Sequence, residues 1–136
     1  MQALTFEADG VDPWAVETVE DLRAARDASA STWVRATGAT PAELDLVAEA
    51  FGLHALTIED VRRAARPKTE QFDDSTFTLL KDAELRRGDQ AFEEEVDDEA
   101  VGIFIGDGWL VTVATAEIPA IDTVWDAMTG GERRLL

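Results

Sequence analysis

A three-layer α/β/α sandwich with a mixed central β-sheet is the fold class that the sequence predicts, on three observations. Four separate stretches carry apolar residues at helical spacing. Two late stretches, Ala100 to Ile105 and Trp109 to Thr115, are almost continuously apolar and rich in β-branched residues. The two kinds of segment interleave along a chain of 136 residues, short enough for one domain spanning 1–136. Strands buried on both faces need helices on both sides, which argues against a bundle or an all-β barrel.

Each element has a local reason. Ala3 to Glu7 alternates apolar and polar residues and is closed by Asp9-Gly10, which suits a short strand. A helix is expected next, starting where Thr18 precedes Asp21 by three residues, with Val19, Leu22 and Ala25 at helical spacing. Ser31 to Ala36 reads as a strand stopped at Gly38. Thr40-Pro41-Ala42-Glu43 then supplies a capping hydroxyl, a first-turn proline and a reciprocal Glu. The helix it starts buries Leu44, Val47, Ala48 and Phe51 and closes at Gly52.

A further helix is expected from His54 to about Ala65, ended by Pro67, with Leu56, Ile58, Val61 and Ala65 inward. Extended chain follows through Glu70 and Phe72, then a half-buried strand from Ser75 to Leu85 whose apolar face Lys81 interrupts. Arg86 to Glu99 has seven acids between Asp89 and Glu99 and no period, so it reads as an exposed loop or hairpin tip. Gly106-Asp107-Gly108 joins the two apolar stretches as a tight hairpin of central strands. Pro119 opens a last helix with Ile121, Val124, Trp125 and Met128 on one stripe, closed by Gly130-Gly131.

Composition narrows the function. With 29 acidic and 12 basic side chains the formal charge is −17, which repels phosphates and excludes nucleic acid and anionic membrane faces as expected partners. Ten of the basic residues are Arg and two, Lys68 and Lys81, are Lys; together with abundant Asp this reads as adaptation to concentrated salt. The absence of Cys removes disulfides, thiolate metal sites and cysteine nucleophiles, and the single His54 rules out a paired-His site within one chain. There is no G-x-S-x-G, no P-loop spacing before either lysine, no apolar run near the length of a membrane span and no signal-peptide pattern. The chain is therefore expected to be soluble and intracellular and not to be an enzyme. A hydrolase built on carboxylates alone is disfavoured, because the acids show no clustered ligand spacing.

One stretch stands out: Phe51-Gly52-Leu53-His54-Ala55-Leu56-Thr57-Ile58-Glu59-Asp60-Val61, followed by Arg66-Pro67-Lys68-Thr69-Glu70. It resembles the N-terminal cytoplasmic domain of CorA-type magnesium transporters. Members of that family carry a Phe-Gly-Leu-His-Pro-Leu segment, a Glu-Asp pair and then Arg-Pro-Lys-x-Glu. The likeness extends more loosely to Trp33, the helix from Pro41, Phe77 to Lys81, the paired strands around Ile103 and Val111 to Val113, and the helix at Ile121. Ala55, where the family usually has Pro, departs from the pattern and touches the helix start rather than the chemistry.

The resemblance implies a regulatory domain that assembles as a homopentamer in the full transporter, with divalent cations, Mg²⁺ or Co²⁺, held between subunits. Glu59 and Asp60 match the domain's share of that metal site. Mg²⁺ takes oxygen ligands and keeps several waters, so one or two carboxylates on each side of an interface suffice. The same two residues also sit where Arg63 pairs with them, Glu59 at i+4 and Asp60 at i+3, as an ordinary solvated helix face. His54 is expected to cap or pack, and Arg66-Pro67-Lys68 to shape the helix-to-strand corner, its charges pairing with Glu70 or Asp73. The family's stalk helix, membrane spans and Gly-Met-Asn signature do not occur in these residues, so the chain reads as the cytoplasmic part of a longer membrane protein. A free-standing regulatory or protein-binding domain of the same fold is the alternative.

Overall fold

The computed structural model of the protein describes residues 1–28, 30–81 and 99–130. The order is β1 (Gln2–Glu7), β2 (Gly10–Ala15), α1 (Val19–Ala28), β3 (Ser31–Ala36), α2 (Pro41–Phe51), α3 (Ala55–Arg62), β4 (Lys68–Gln71), β5 (Ser75–Lys81), β6 (Ala100–Gly106), β7 (Trp109–Val113) and α4 (Pro119–Thr129). The strands form one seven-stranded sheet in the order β2-β1-β3-β7-β6-β5-β4. β3 and β7 pair in parallel, with Val34 opposite Val111, and every other neighbouring pair is antiparallel. The sheet is therefore mixed, as the sequence predicts, and the hairpin strands β6 and β7 lie near its middle.

Helices cover both sides unequally. On one side α1, α2 and α3 bury Leu22, Ala25, Leu44, Val47, Phe51, Ile58 and Val61 against Ala3, Val34, Phe77, Leu79, Phe104, Val111 and Val113. Phe77 and Phe104 stack at 4.7 Å between ring centroids in the middle of this core. On the other side α4 is the one helix among the described residues that packs, with Trp125 against Leu4 and Trp33. The Trp33 and Trp125 rings meet edge-on at 4.9 Å, a favourable aromatic geometry. Arg35 lies 4.3 Å over the Trp125 ring and bonds Asp122 at 3.0 Å, which ties α4 to β3.

The helix starts follow their sequence signals. Thr18 Oγ1 accepts the Asp21 N–H while Asp21 accepts those of Glu17 and Thr18, and Thr40 and Glu43 form the reciprocal capping box of α2. α4 begins at Pro119 with no side-chain cap.

Five expectations change, the first at Leu56, which was expected to point inward and is 66% exposed at the start of α3. Gly10 to Ala15 is a strand, whereas the first helix was expected to be the next element after Asp9-Gly10. It pairs with β1 through a two-residue turn and lies at the sheet edge, where Pro13, which has no N–H, is tolerated. The helix from Ala55 ends at Arg62, short of Pro67, because Ala64 adopts φ 51° and leaves helical geometry. β6 is not covered on both faces along its length: Ile105 is 55% exposed. Nor is the whole α4 stripe buried, since Val124 is 47% exposed. The strand expected through Leu85 is described as far as Lys81, and the acidic stretch up to residue 98 and the tail from 131 lie outside the described residues.

Candidate functional site

The Phe51 to Glu70 stretch folds as a corner: the end of α2, the helix α3, and the strand β4. Gly52 takes φ 66°, the left-handed conformation that closes α2 at little cost without a Cβ. His54 then caps α3, its Nδ1 accepting the Leu56 N–H at 3.2 Å, and its ring stacks on Phe72 at 5.6 Å. Thr57 Oγ1 donates back to the His54 carbonyl. α3 buries Thr57, Ile58, Asp60 and Val61 and leaves Leu56 and Glu59 in water.

The close approach of α3 to the sheet depends on Gly102. A Cβ there would stand 2.6 Å from Val61 Cγ2, so Val61 occupies the space that any side chain on β6 would need. Docking at that depth brings Asp60, one residue earlier, down to the β4 edge. Its side chain is 8% exposed. Oδ2 takes the Lys68 ammonium at 2.5 Å and Oδ1 takes Arg63 at 3.1 Å. Lys68 also reaches Glu70 at 3.4 Å.

The Lys68 hydrogen bond holds the Asp60 carboxyl below its ordinary value of 3.8, against the opposing effect of burial, with Arg63 contributing in the same direction. The same contact raises the Lys68 ammonium above 10.5. Asp60 is thus an ionised carboxylate with both oxygens engaged. Lys81 donates to the Ala64 carbonyl just beyond α3, so a second lysine fastens the helix end.

Glu59, about 100° round the helix from Asp60, is exposed to water. It lines a shallow groove between α2 and α3 with Asp45, Glu49 and Arg62, and no ion pair joins it to a described residue. The two candidate metal ligands are therefore adjacent in sequence and divided by the helix: Glu59 faces out, Asp60 faces in. Of the two pairings with Arg63 open to them, the structure makes the Asp60 one. Lys68 pairs with Glu70 as expected and more closely with Asp60, a contact between residues eight apart that neither helix spacing nor strand spacing signals. Among the described residues, no cluster of three or more His, Asp or Glu side chains is disposed to hold a metal ion. None of the described helices is long and apolar enough to cross a membrane.

A seven-stranded mixed sheet with helices on both sides, and α3 clamped to its β4 edge through Asp60, defines the chain as an α/β sandwich domain. The chain belongs to the CorA-like Mg²⁺ transporter protein family, whose profile matches residues 28–135. It is 30% identical over 83 residues to the cobalt/magnesium transport protein CorA of Thermotoga maritima, a stretch that is 60% of this chain and 24% of that protein. Among solved structures it resembles the complete CorA magnesium transporter of Methanocaldococcus jannaschii. There the TM-score is 0.65 and the identity 16%, over 97% of this chain and 37% of that one. The ZntB cytoplasmic domain of Vibrio parahaemolyticus matches with a TM-score of 0.64 at 12% identity, over 96% of this chain and 49% of that domain. The chain thus spans between about a quarter and a half of these relatives.

Proposed function

We propose that this domain is the cytoplasmic regulatory part of a divalent-cation transporter and that Mg²⁺, or Co²⁺, bound between neighbouring copies in a homopentamer biases gating. Family membership supports the transporter context. The observation that carries the site is Glu59: an exposed carboxylate without a described ion-pair partner, on a helix whose other face is fixed by the buried Asp60 pair. A hard cation that retains water needs few protein oxygens, and Glu59 from one copy facing acids of the next fits that demand. Without the ion, like charges would oppose one another across the interface and push the copies apart, which gives a two-state element to bias.

In this reading Glu59 is the outer ligand. Asp60 reaches the metal only by giving up Lys68 or Arg63, and otherwise sets the position of α3. The −17 charge fits the same setting in concentrated salt, where screening relieves self-repulsion. The test is Mg²⁺-dependent protection from protease in the full-length gene product. Glu59→Ala is expected to shift the Mg²⁺ needed for half-protection upward by tenfold or more. Protection at the wild-type concentration would overturn the site.

A further inference from the structure

The three helices on one side of the sheet are started by different chemistry. α1 and α2 each use a threonine hydroxyl and a carboxylate, Thr18 with Asp21 and Thr40 with Glu43. α3 has no acidic residue in its first turn, and its side-chain cap is the imidazole of His54, the one histidine of the chain. Hydroxyls and carboxylates in general keep their charge between about pH 5 and pH 8. Imidazole is the side chain that changes its charge in that interval.

The cap geometry admits one form of the ring. Nδ1 accepts the Leu56 N–H at 3.2 Å, so Nδ1 presents its lone pair and the proton of the neutral ring sits on Nε2. A second proton would occupy that lone pair. The imidazolium would then turn an N–H toward an N–H, at the positive end of the α3 dipole, where a cation is disfavoured.

The charged ring has an alternative berth nearby. His54 is exposed and shares a cavity of about 270 Å³ with Asp73 and Asp74, in the turn between β4 and β5. Gly52 at the end of α2, Ser75 and Phe104 of β6 line the same cavity without charge. Among the described residues, the charged groups that face the ring are therefore both carboxylates. The ring already stacks on Phe72, the residue before the pair.

We infer that His54 is a proton-operated latch: neutral, it caps α3; protonated, it releases the Leu56 N–H and turns across Phe72 to the Asp73-Asp74 carboxylates. The release is confined to the first turn of α3, because the rest of the helix is held by Val61 at Gly102 and by Asp60 with Lys68 and Arg63, contacts in which no imidazole takes part. The inference goes beyond the metal reading and uses neither Glu59 nor Asp60 as a ligand.

With one histidine in the chain, the ring resonances need no further assignment. Isotope-labelled protein in metal-free buffer is followed by NMR from about pH 8 to pH 5. At the upper end the Nε2–H tautomer is expected. As the ring gains its proton, protection of the Leu56 amide, relative to an open amide at the same pH, should fall about fivefold, the size of one capping hydrogen bond. The His54 Cε1–H should gain contacts with residues 73 and 74 in the same transition, while amides in the last turn of α3 stay as they were. His54→Asn, whose amide oxygen caps without titrating, should keep Leu56 protected throughout. The opposite tautomer at high pH, or a Leu56 amide equally protected at both ends, would overturn the inference. So would loss of protection without the new contacts, or a His54→Asn protein as pH-dependent at Leu56 as the wild type. Because no metal is present, none of these outcomes bears on Glu59.

Discussion

The two sides of the sheet are built from the same strands and are held by different means. On the side of α1, α2 and α3, helices are capped by side chains, Val61 fits the space left open at Gly102, and the residues in contact with the sheet are nearly all fully buried. On the α4 side, among the described residues, one helix without a side-chain cap is anchored by an aromatic pair and by Arg35, and Ile105 and Val124 stay exposed. The difference teaches where the stability of the described residues is concentrated: the face that three helices bury contributes more than the one that α4 holds through Trp125 and Arg35.

Substitutions can break or sharpen that contrast. The largest effect is expected on the three-helix side: Phe77→Ala, at a fully buried ring stacked on Phe104, should cost about 3–5 kcal/mol in urea unfolding. A loss below about 1.5 kcal/mol would show that this face is less tightly packed than its burial indicates.

Asp60→Asn comes next. It removes charge-assisted hydrogen bonds of a kind that contribute about 1.5–3 kcal/mol, kept near the low end because Lys68 and Arg63 retain access to water. The pH dependence has a definite sign. A carboxyl lowered in the folded state contributes stability above its unfolded value of 3.8, and that stability is lost as pH falls through the lower folded value. Lys68, raised in the folded state, contributes below 10.5 and loses its contribution as pH rises through the higher folded value. Asp60→Asn should therefore flatten the stability profile at both ends. Unfolding curves recorded from acid to alkaline pH check this, and a variant as pH-dependent as the wild type would count against the pair.

A smaller change is expected at the caps. Thr40→Ala should cost about 1 kcal/mol, while amide exchange in the first turn of α4, which lacks such a cap, should already be faster than in the first turn of α2. Smallest of all is Ile105→Thr, expected to stay within about 0.5 kcal/mol in this chain. A cost comparable to that of Phe77→Ala would mean that the two faces do not differ as described.

Much of this was legible in the sequence wherever a signal is local. The Thr40 to Glu43 box and the Gly106-Asp107-Gly108 turn depend on residues a few positions apart and appear in the structure where they were read, and the period of the helices holds except at Leu56 and Val124, which face water. What escaped depends on partners far along the chain. Gly10 to Ala15 contains Pro13 and Asp12 and is a strand only because β1 is there to pair with it at an edge. The end of α3 is set by Ala64 and the Lys81 contact rather than by the proline that announces it. At the site, the Glu59-Asp60 pair was visible and its division was not. Which carboxylate faces the sheet follows from the depth at which Val61 meets Gly102, and that depth is a property of the packed core.

The parallel contact between β3 and β7 is the seam of the whole sheet. On one side of it β2, β1 and β3 form an antiparallel unit with β1 in the middle, closed within the first 36 residues; on the other, β4 to β7 form a meander within residues 68–113. Every ladder inside either half joins neighbours in sequence or nearly so, except where β5 meets β6. The seam joins Trp33 to Leu110 and Val34 to Val111. Contacts of such separation form late, because most of the intervening chain must be ordered before they are rewarded. Closing this one line of hydrogen bonds therefore asks more chain ordering than any ladder within either half of the sheet.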